Sequence, residues 1–181
     1  MGCSGDGIAN SPCDKIPRMD FSKITDDLFI GTTPFVRDYN HLRELGVRLV
    51  INMRFTHYPR ADDYVQPLSF LSLRTIDSPF FPIPIQKLQR GARAALETIR
   101  EGGKVYAHCA GGRHRGVAMG ACILVAQGHS PLEAMQVIKE RRSFADPHIY
   151  YIRNQILRFA LEWQSVEAGF SIGTQKNADF R

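Results

Sequence analysis

One nine-residue stretch, His108-Cys109-Ala110-Gly111-Gly112-Arg113-His114-Arg115-Gly116, gathers a thiol, two adjacent glycines and a guanidinium. A cysteine just ahead of a helix sits at the positive end of the helix dipole, close to backbone N–H groups with no partner inside the helix. That setting lowers a thiol pKa to about 3.5–7.5 and leaves thiolate available at neutral pH. Glycines allow the backbone to curl, so that the amides of Ala110, Gly111, Gly112, Arg113 and His114 can form a nest for a tetrahedral dianion. Arg115 can close the ring with a two-pronged grip on phosphate oxygens. Nucleophile, anion cradle and clamp therefore lie within seven residues. A structural core cysteine would explain Cys109 alone. It would not explain the glycines, or an arginine at this spacing between a strand and a helix.

The elements that must hold this stretch are legible around it. Lys104–His108 reads as a short strand entering the loop, and Arg115–Gln127 as a buried helix, apolar nearly all round. Upstream, Ile24–Gly31 reads as a short strand. Phe35–Leu45 reads as a short helix closed by Gly46, and Val47–Met53 as a β-branched central strand. Arg54–Gln66 is a polar, aromatic loop, and Ser69–Ile76 a further strand. Asp77–Pro84 carries three prolines and is irregular. Leu88, Ala92, Ala95, Leu96 and Ile99 follow helical spacing up to Gly102-Gly103.

Downstream, Ser130-Pro131-Leu132-Glu133 is a capping box, with Leu132, Met135 and Ile138 marking the buried side of its helix. Asp146-Pro147 opens the last helix in the same way. Ile149, Ile152, Ile156, Phe159 and Trp163 form its stripe. This order predicts an α/β fold with a mainly parallel sheet flanked by helices. Ligands in such sheets bind at the carboxyl ends of strands, where the Cys109 loop falls. The domain should span 20–164, between a flexible segment 1–19 and a frayed tail 165–181.

The His-Cys, five residues, Arg pattern, with Gly112 third after the cysteine, resembles the signature loop of cysteine-based protein phosphatases. The likeness to the atypical dual-specificity branch covers roughly 20–163, including Leu28-Phe29-Ile30-Gly31 and Val50-Ile51-Asn52. It implies two in-line phosphoryl transfers through a phosphocysteine, with Cys109 attacking and Arg115 stabilising the equatorial oxygens. It also implies a general acid, an aspartate about thirty residues before the cysteine. Asp77 lies 32 positions before Cys109, at the end of a strand. Asp77 is favoured as that acid over a turn-forming role ahead of Pro79, and Asp62 and Asp63 are the spare candidates.

His108 is expected to orient the loop by hydrogen bonding. The family has Ser or Thr directly after the loop arginine, to help the thiolate leave. Here Gly116 takes that place, which predicts slow breakdown of the phosphocysteine. The chemistry calls for no cofactor and no metal.

The substrate class is less sharply drawn. A short chain implies a shallow cleft accepting phosphotyrosine, with phosphoserine and phosphothreonine as further protein substrates. Arg113 and His114 resemble the extra basic groups of phosphoinositide and inositol pyrophosphate phosphatases, or else brace neighbouring loops. His57 and Tyr58 are candidates for the cleft wall. A non-catalytic phosphate-binding protein and a rhodanese-like sulfur carrier are the alternatives. Against the sulfur carrier stand the arginine spacing and the upstream aspartate.

Bulk properties narrow the partners. A net charge of +5 suits an anionic substrate, but basic residues are scattered, so no nucleic-acid surface is expected. No apolar run reaches the length of a membrane span, and no secretory h-region is visible, so a cytoplasmic location is expected. Met1-Gly2-Cys3 resembles an acylation start, but Asp6 replaces the required hydroxyl, so membrane anchoring is not expected. The cysteines Cys3, Cys13, Cys109 and Cys122 make no metal-ligand spacing, and Cys122 reads as core.

Overall fold

The computed structural model describes residues 19–56 and 68–175, with side chains to residue 165. Cys3, Cys13, His57, Tyr58, Asp62 and Asp63 lie outside the described residues.

Five strands form one sheet in the order β1-β2-β5-β3-β4. They are β1 (Phe21–Lys23), β2 (Leu28–Gly31), β3 (Val47–Arg54), β4 (Ser69–Thr75) and β5 (Lys104–His108). All neighbours pair in parallel except β1 and β2, which pair antiparallel. β5 sits centrally, with His108 opposite Gly31 on one side and Asn52 on the other. The carboxyl ends of β2, β3 and β5 thus converge beside Cys109.

Helices α2 (Ile85–Arg100), α3 (Arg115–Ala126), α4 (Pro131–Arg141) and α5 (Tyr150–Gln175) share the larger hydrophobic core with the sheet. The short α1 (Tyr39–Glu44) covers the opposite face, where Tyr39 and Leu42 pack with Phe29, Val50 and Tyr106. Every residue of α3 from Arg115 to Val125 is buried, as a helix apolar on all sides requires. Cys122 lies fully inside this core, and burial pushes its thiol well above the ordinary value. Among the described residues no helix is long and apolar enough to cross a membrane.

Several boundaries differ from the sequence reading for physical reasons. β2 begins at Leu28, because the chain first makes the short antiparallel strand β1, too brief to leave a periodicity. A 3-10 turn at Val36–Asp38 precedes α1, with the Asp38 carboxylate accepting from the Phe35 amide at 2.8 Å. Gly46 has φ +85°, the left-handed value a helix stop uses. α4 keeps its capping box, but Leu132 is exposed and Ala134 takes its place beside Met135 and Ile138. The first helical turn projects past the edge of the core.

α5 starts at Tyr150, not at Asp146-Pro147. The Asp146 amide donates instead to the Arg113 carbonyl at 3.1 Å, which ties this segment to the cysteine loop. The α5 backbone runs from Tyr150 to Gln175.

Ser130→Ala removes the side-chain half of the α4 capping box, in which Ser130 Oγ accepts from the Glu133 amide at 3.2 Å. Calorimetry should show a loss of about 1 kcal/mol, a fall of roughly 2–4 °C in Tm.

Candidate active site

The loop 109–114 joins the end of β5 to α3, and its curvature is fixed from outside. Gly112 has φ +59°. A Cβ there would stand 2.6 Å from an Arg142 guanidinium nitrogen and 2.7 Å from the Gly31 carbonyl carbon. Both the backbone conformation and the space therefore demand glycine. Gly111 is different, because a Cβ there meets nothing within 4 Å. The two glycines that look equivalent in sequence carry unequal constraints.

Arg142, just past α4, holds the loop in this shape. Its side chain is fully buried. Nε donates to the Gly112 carbonyl at 2.8 Å, one Nη to Ser22 Oγ at 3.1 Å, and the other to Asp20 Oδ2 at 2.9 Å. The guanidinium also lies over the Phe144 ring, 4.1 Å from its centroid. β1 and its flank thus serve as the abutment for the 109–114 loop. Sequence reasoning passed over Arg142, Asp20 and Ser22. The only signal was a basic pair at a helix end, which commonly means solvated charge.

Cys109 is buried at the floor of the loop. Its carbonyl accepts from Thr33 Oγ1 at 3.1 Å, and Thr33 in turn accepts from Arg54 Nη1 at 3.2 Å. His108 is buried one residue earlier, its ring 5.9 Å from the Tyr106 ring. His114 occupies the N-cap position of α3 and makes no side-chain cap bond, so the first amides of α3 are not spent on that side chain. Ala110 and Arg113 lie on the exposed rim, with an Arg113 guanidinium nitrogen 3.9 Å from Asp146 Oδ2. Gly116 packs its Cα closely under the loop: a Cβ would lie 3.3 Å from backbone atoms of His108 and Cys109.

Arg115 is buried and aimed back toward the sheet. One Nη donates to the Thr75 carbonyl at 2.8 Å and to the Met53 carbonyl at 3.3 Å, at the carboxyl ends of β4 and β3. Its Nε stands 3.3 Å from Asp77 Oδ2. Asp77, 32 residues away in sequence from Cys109, is therefore brought to the clamp itself.

Asp77 has further partners. Tyr151, on the first turn of α5, donates its hydroxyl to Asp77 Oδ1 at 3.0 Å, and the same hydroxyl lies 3.0 Å from His114 Nδ1. His114 Nδ1 is itself 3.5 Å from Asp77 Oδ1. Burial, and then the bond to Asp77, push the Tyr151 hydroxyl up to about 12, so it remains a donor at any physiological pH. His114 turns its ring edge-on to Tyr151, with centroids 5.7 Å apart, and braces the loop against α5. Of the residues expected to form the site, the structure brings Asp77 against Arg115 and His114, while Ala110, Gly111 and Arg113 lie on the exposed side of the loop. Tyr151 escaped notice because it lies off the apolar stripe of α5.

Over 131 residues the chain is 28% identical to mouse dual specificity phosphatase 28, covering 71% of this chain and 77% of the relative. The crystal structure of human DUSP28 superposes with a TM-score of 0.71 at 21% identity, over 80% of this chain and 98% of its own. The chain is thus similar in sequence to a dual specificity phosphatase and shares the fold of that group. PTPMT1 shares the same fold, with a TM-score of 0.73 at 24% identity, over 82% of this chain and 99% of its own. No family model matches the sequence. The dual-specificity phosphatase fold accounts for the five-stranded, mostly parallel sheet and for a loop set between a central strand and a buried helix.

Arg142→Met should loosen the loop without touching the thiol, leaving the Gly112 carbonyl and Asp20 without their partner. Asp20 is half exposed and stays hydrated, so the loss is that of an unsatisfied buried carbonyl, about 1–3 kcal/mol. Calorimetry should register that loss. Vanadate inhibition should weaken by at least tenfold in whatever folded protein remains at low temperature, by the value of about 1.4 kcal/mol per decade.

Proposed function

We propose that the chain hydrolyses phosphomonoesters through a phosphocysteine on Cys109, acting chiefly on phosphotyrosine and also on phosphoserine and phosphothreonine in proteins. The observation that carries this reading is the contact of Asp77 with Arg115, the residue that ends the Cys109 loop and begins α3, with Asp77 Oδ2 3.3 Å from Arg115 Nε. The homology with dual specificity phosphatase 28 supports it.

In the proposed reaction, the Cys109 sulfur attacks phosphorus as the bond to the leaving oxygen breaks. Loop amides and the Arg115 guanidinium stabilise charge on the equatorial oxygens. Protonated Asp77 gives its proton to the departing phenol or alcohol. The resulting carboxylate takes a proton from water, which attacks phosphorus and releases phosphate and the Cys109 thiolate. The chemistry closes with Asp77 protonated again. Ile76, Phe80 and Phe81 are exposed beside the acid and offer apolar surface to an aromatic leaving group or its peptide.

A second substrate class has one observation in its favour. The Arg113 side chain is 60% exposed on the rim of the cradle, where a second phosphate of a phosphoinositide or inositol phosphate would find it. The fold neighbour PTPMT1 has a crystal structure in complex with PI(5)P. His114 is less available for this role, since its ring is engaged with Tyr151 and Asp77.

Hydrolysis of para-nitrophenyl phosphate, measured with chelator present, checks the reading. Wild type should turn over, Cys109→Ser should be inactive, and Asp77→Asn should fall by about 100-fold. Binding of phosphopeptide with no product release would point instead to a phosphate-binding protein. Gly116→Ser restores the family's hydroxyl at the cost of crowding the loop. It should raise the steady-state rate after the burst and lower stability by about 1–3 kcal/mol. Stopped-flow traces and calorimetry measure the two effects separately. A panel of phosphopeptides and inositol phosphates ranks the substrate classes, with Arg113→Ala expected to reduce kcat/KM only for the multiply phosphorylated members.

A further inference from the structure

An acid that protonates a leaving group must present one particular oxygen, and a free carboxyl rotates between two. Asp77 is not free in this way. Its Oδ1 faces the Tyr151 hydroxyl at 3.0 Å and His114 Nδ1 at 3.5 Å, whereas Oδ2 faces Arg115 Nε at 3.3 Å. The proton bookkeeping of this cluster is constrained. An ionised carboxylate accepts only, so Tyr151 must donate to Asp77. The hydroxyl proton is then spent, and the contact with His114 requires Nδ1–H to donate to the Tyr151 oxygen. A directed chain results: His114 to Tyr151 to Asp77 Oδ1.

We propose that Tyr151 is a positioning residue for the general acid: by holding Oδ1 it leaves Oδ2, the oxygen beside Arg115, to carry the proton to the leaving group. This inference rests on the phosphatase reading and sharpens it. Arg115 grips the phosphoryl group, so the oxygen of Asp77 nearest Arg115 is the one nearest the scissile bond. When Asp77 is protonated, the proton sits on Oδ2 and passes to the leaving oxygen as the phosphorus–oxygen bond breaks. The carboxylate formed keeps its bond from Tyr151 while water delivers the next proton to Oδ2.

The groups facing the Tyr151 hydroxyl are Asp77 from the acid segment, His114 and Arg115 from the loop and α3, and Asp146 from the stretch before α5. The arrangement ties the acid segment to α5 and to the cysteine loop through one phenol. Tyr151 packs its ring against the edge of the core beside the buried stripe of Ile152, Ile156 and Phe159, while its hydroxyl reaches Asp77.

The test compares substrates that differ only in their need for an acid. Phenyl phosphate has a poor leaving group, and difluoromethylumbelliferyl phosphate has one that departs without help. The parameter is kcat/KM, which stops at leaving-group departure and is blind to slow breakdown at Gly116. Tyr151→Phe should lower kcat/KM for phenyl phosphate by about tenfold, a fraction of the full general-acid effect. It should change the activated substrate by less than about twofold. In an Asp77→Asn background, Tyr151→Phe should cause no further loss.

Equal slowing of both substrates, or an undiminished effect in the Asp77→Asn background, would assign Tyr151 a structural role and overturn the inference alone. If folded wild type releases neither product, the phosphatase reading falls as well, and the inference with it.

Discussion

A guanidinium taken out of water loses its hydration and survives only where protein groups replace it. Arg142 is such a group, and much of the site follows from how its surroundings meet that demand. Gly112 supplies a carbonyl, Ser22 a hydroxyl, Asp20 a carboxylate and Phe144 a ring face. For the Gly112 carbonyl to reach it, the loop must curl through a left-handed residue, and only glycine fits between Arg142 and Gly31. For Asp20 and Ser22 to reach it, the chain must make a short strand on the edge of the sheet. The shape of the phosphate loop and the existence of β1 therefore answer to the same buried charge.

Arg115 meets the opposite requirement. It is buried too, but its partners are the ends of β3 and β4 and the carboxylate of Asp77. The two arginines divide the labour: Arg142 ties the loop to β1 and its flank, and Arg115 ties the start of α3 to the ends of β3 and β4 and to Asp77. Between them, Asp77 stands at a junction where strand ends, cysteine loop and α5 meet. A carboxyl placed among an arginine, a tyrosine and a histidine has a defined direction, which a solitary loop aspartate lacks. The contacts of Asp77 with Tyr151 and His114 make it part of the same framework as the Cys109 loop.

The loop from Cys109 to Arg115 was legible because its chemistry is local: thiol, glycine and guanidinium follow one another within seven residues. The strands β3 and β5 and the helix α3 were legible for a related reason, since full burial leaves a continuous apolar record. What escaped depends on contacts between distant segments. Arg142 meets Ser22 across 120 positions, and Tyr151 meets Asp77 across 74. No periodicity encodes such pairs. The start of α5 was misjudged for the same cause, because Asp146-Pro147 has the composition of a helix start while its amide is committed to Arg113. His114 could be read either as a phosphate ligand or as a brace, and only its neighbours, not its type, distinguish the two. Gly116 likewise looked like a missing hydroxyl. In space it is also a point of close approach, where α3 passes under the backbone of His108 and Cys109.

The central claim is that the Cys109 sulfur becomes covalently phosphorylated inside this cradle. Wild-type protein mixed with para-nitrophenyl phosphate, quenched within the first turnover and mapped by mass spectrometry, tests it directly. One phosphoryl group is expected, on the peptide bearing Cys109, and none in Cys109→Ser. A product burst with no phosphoryl group on Cys109, or with one on another residue, would contradict it.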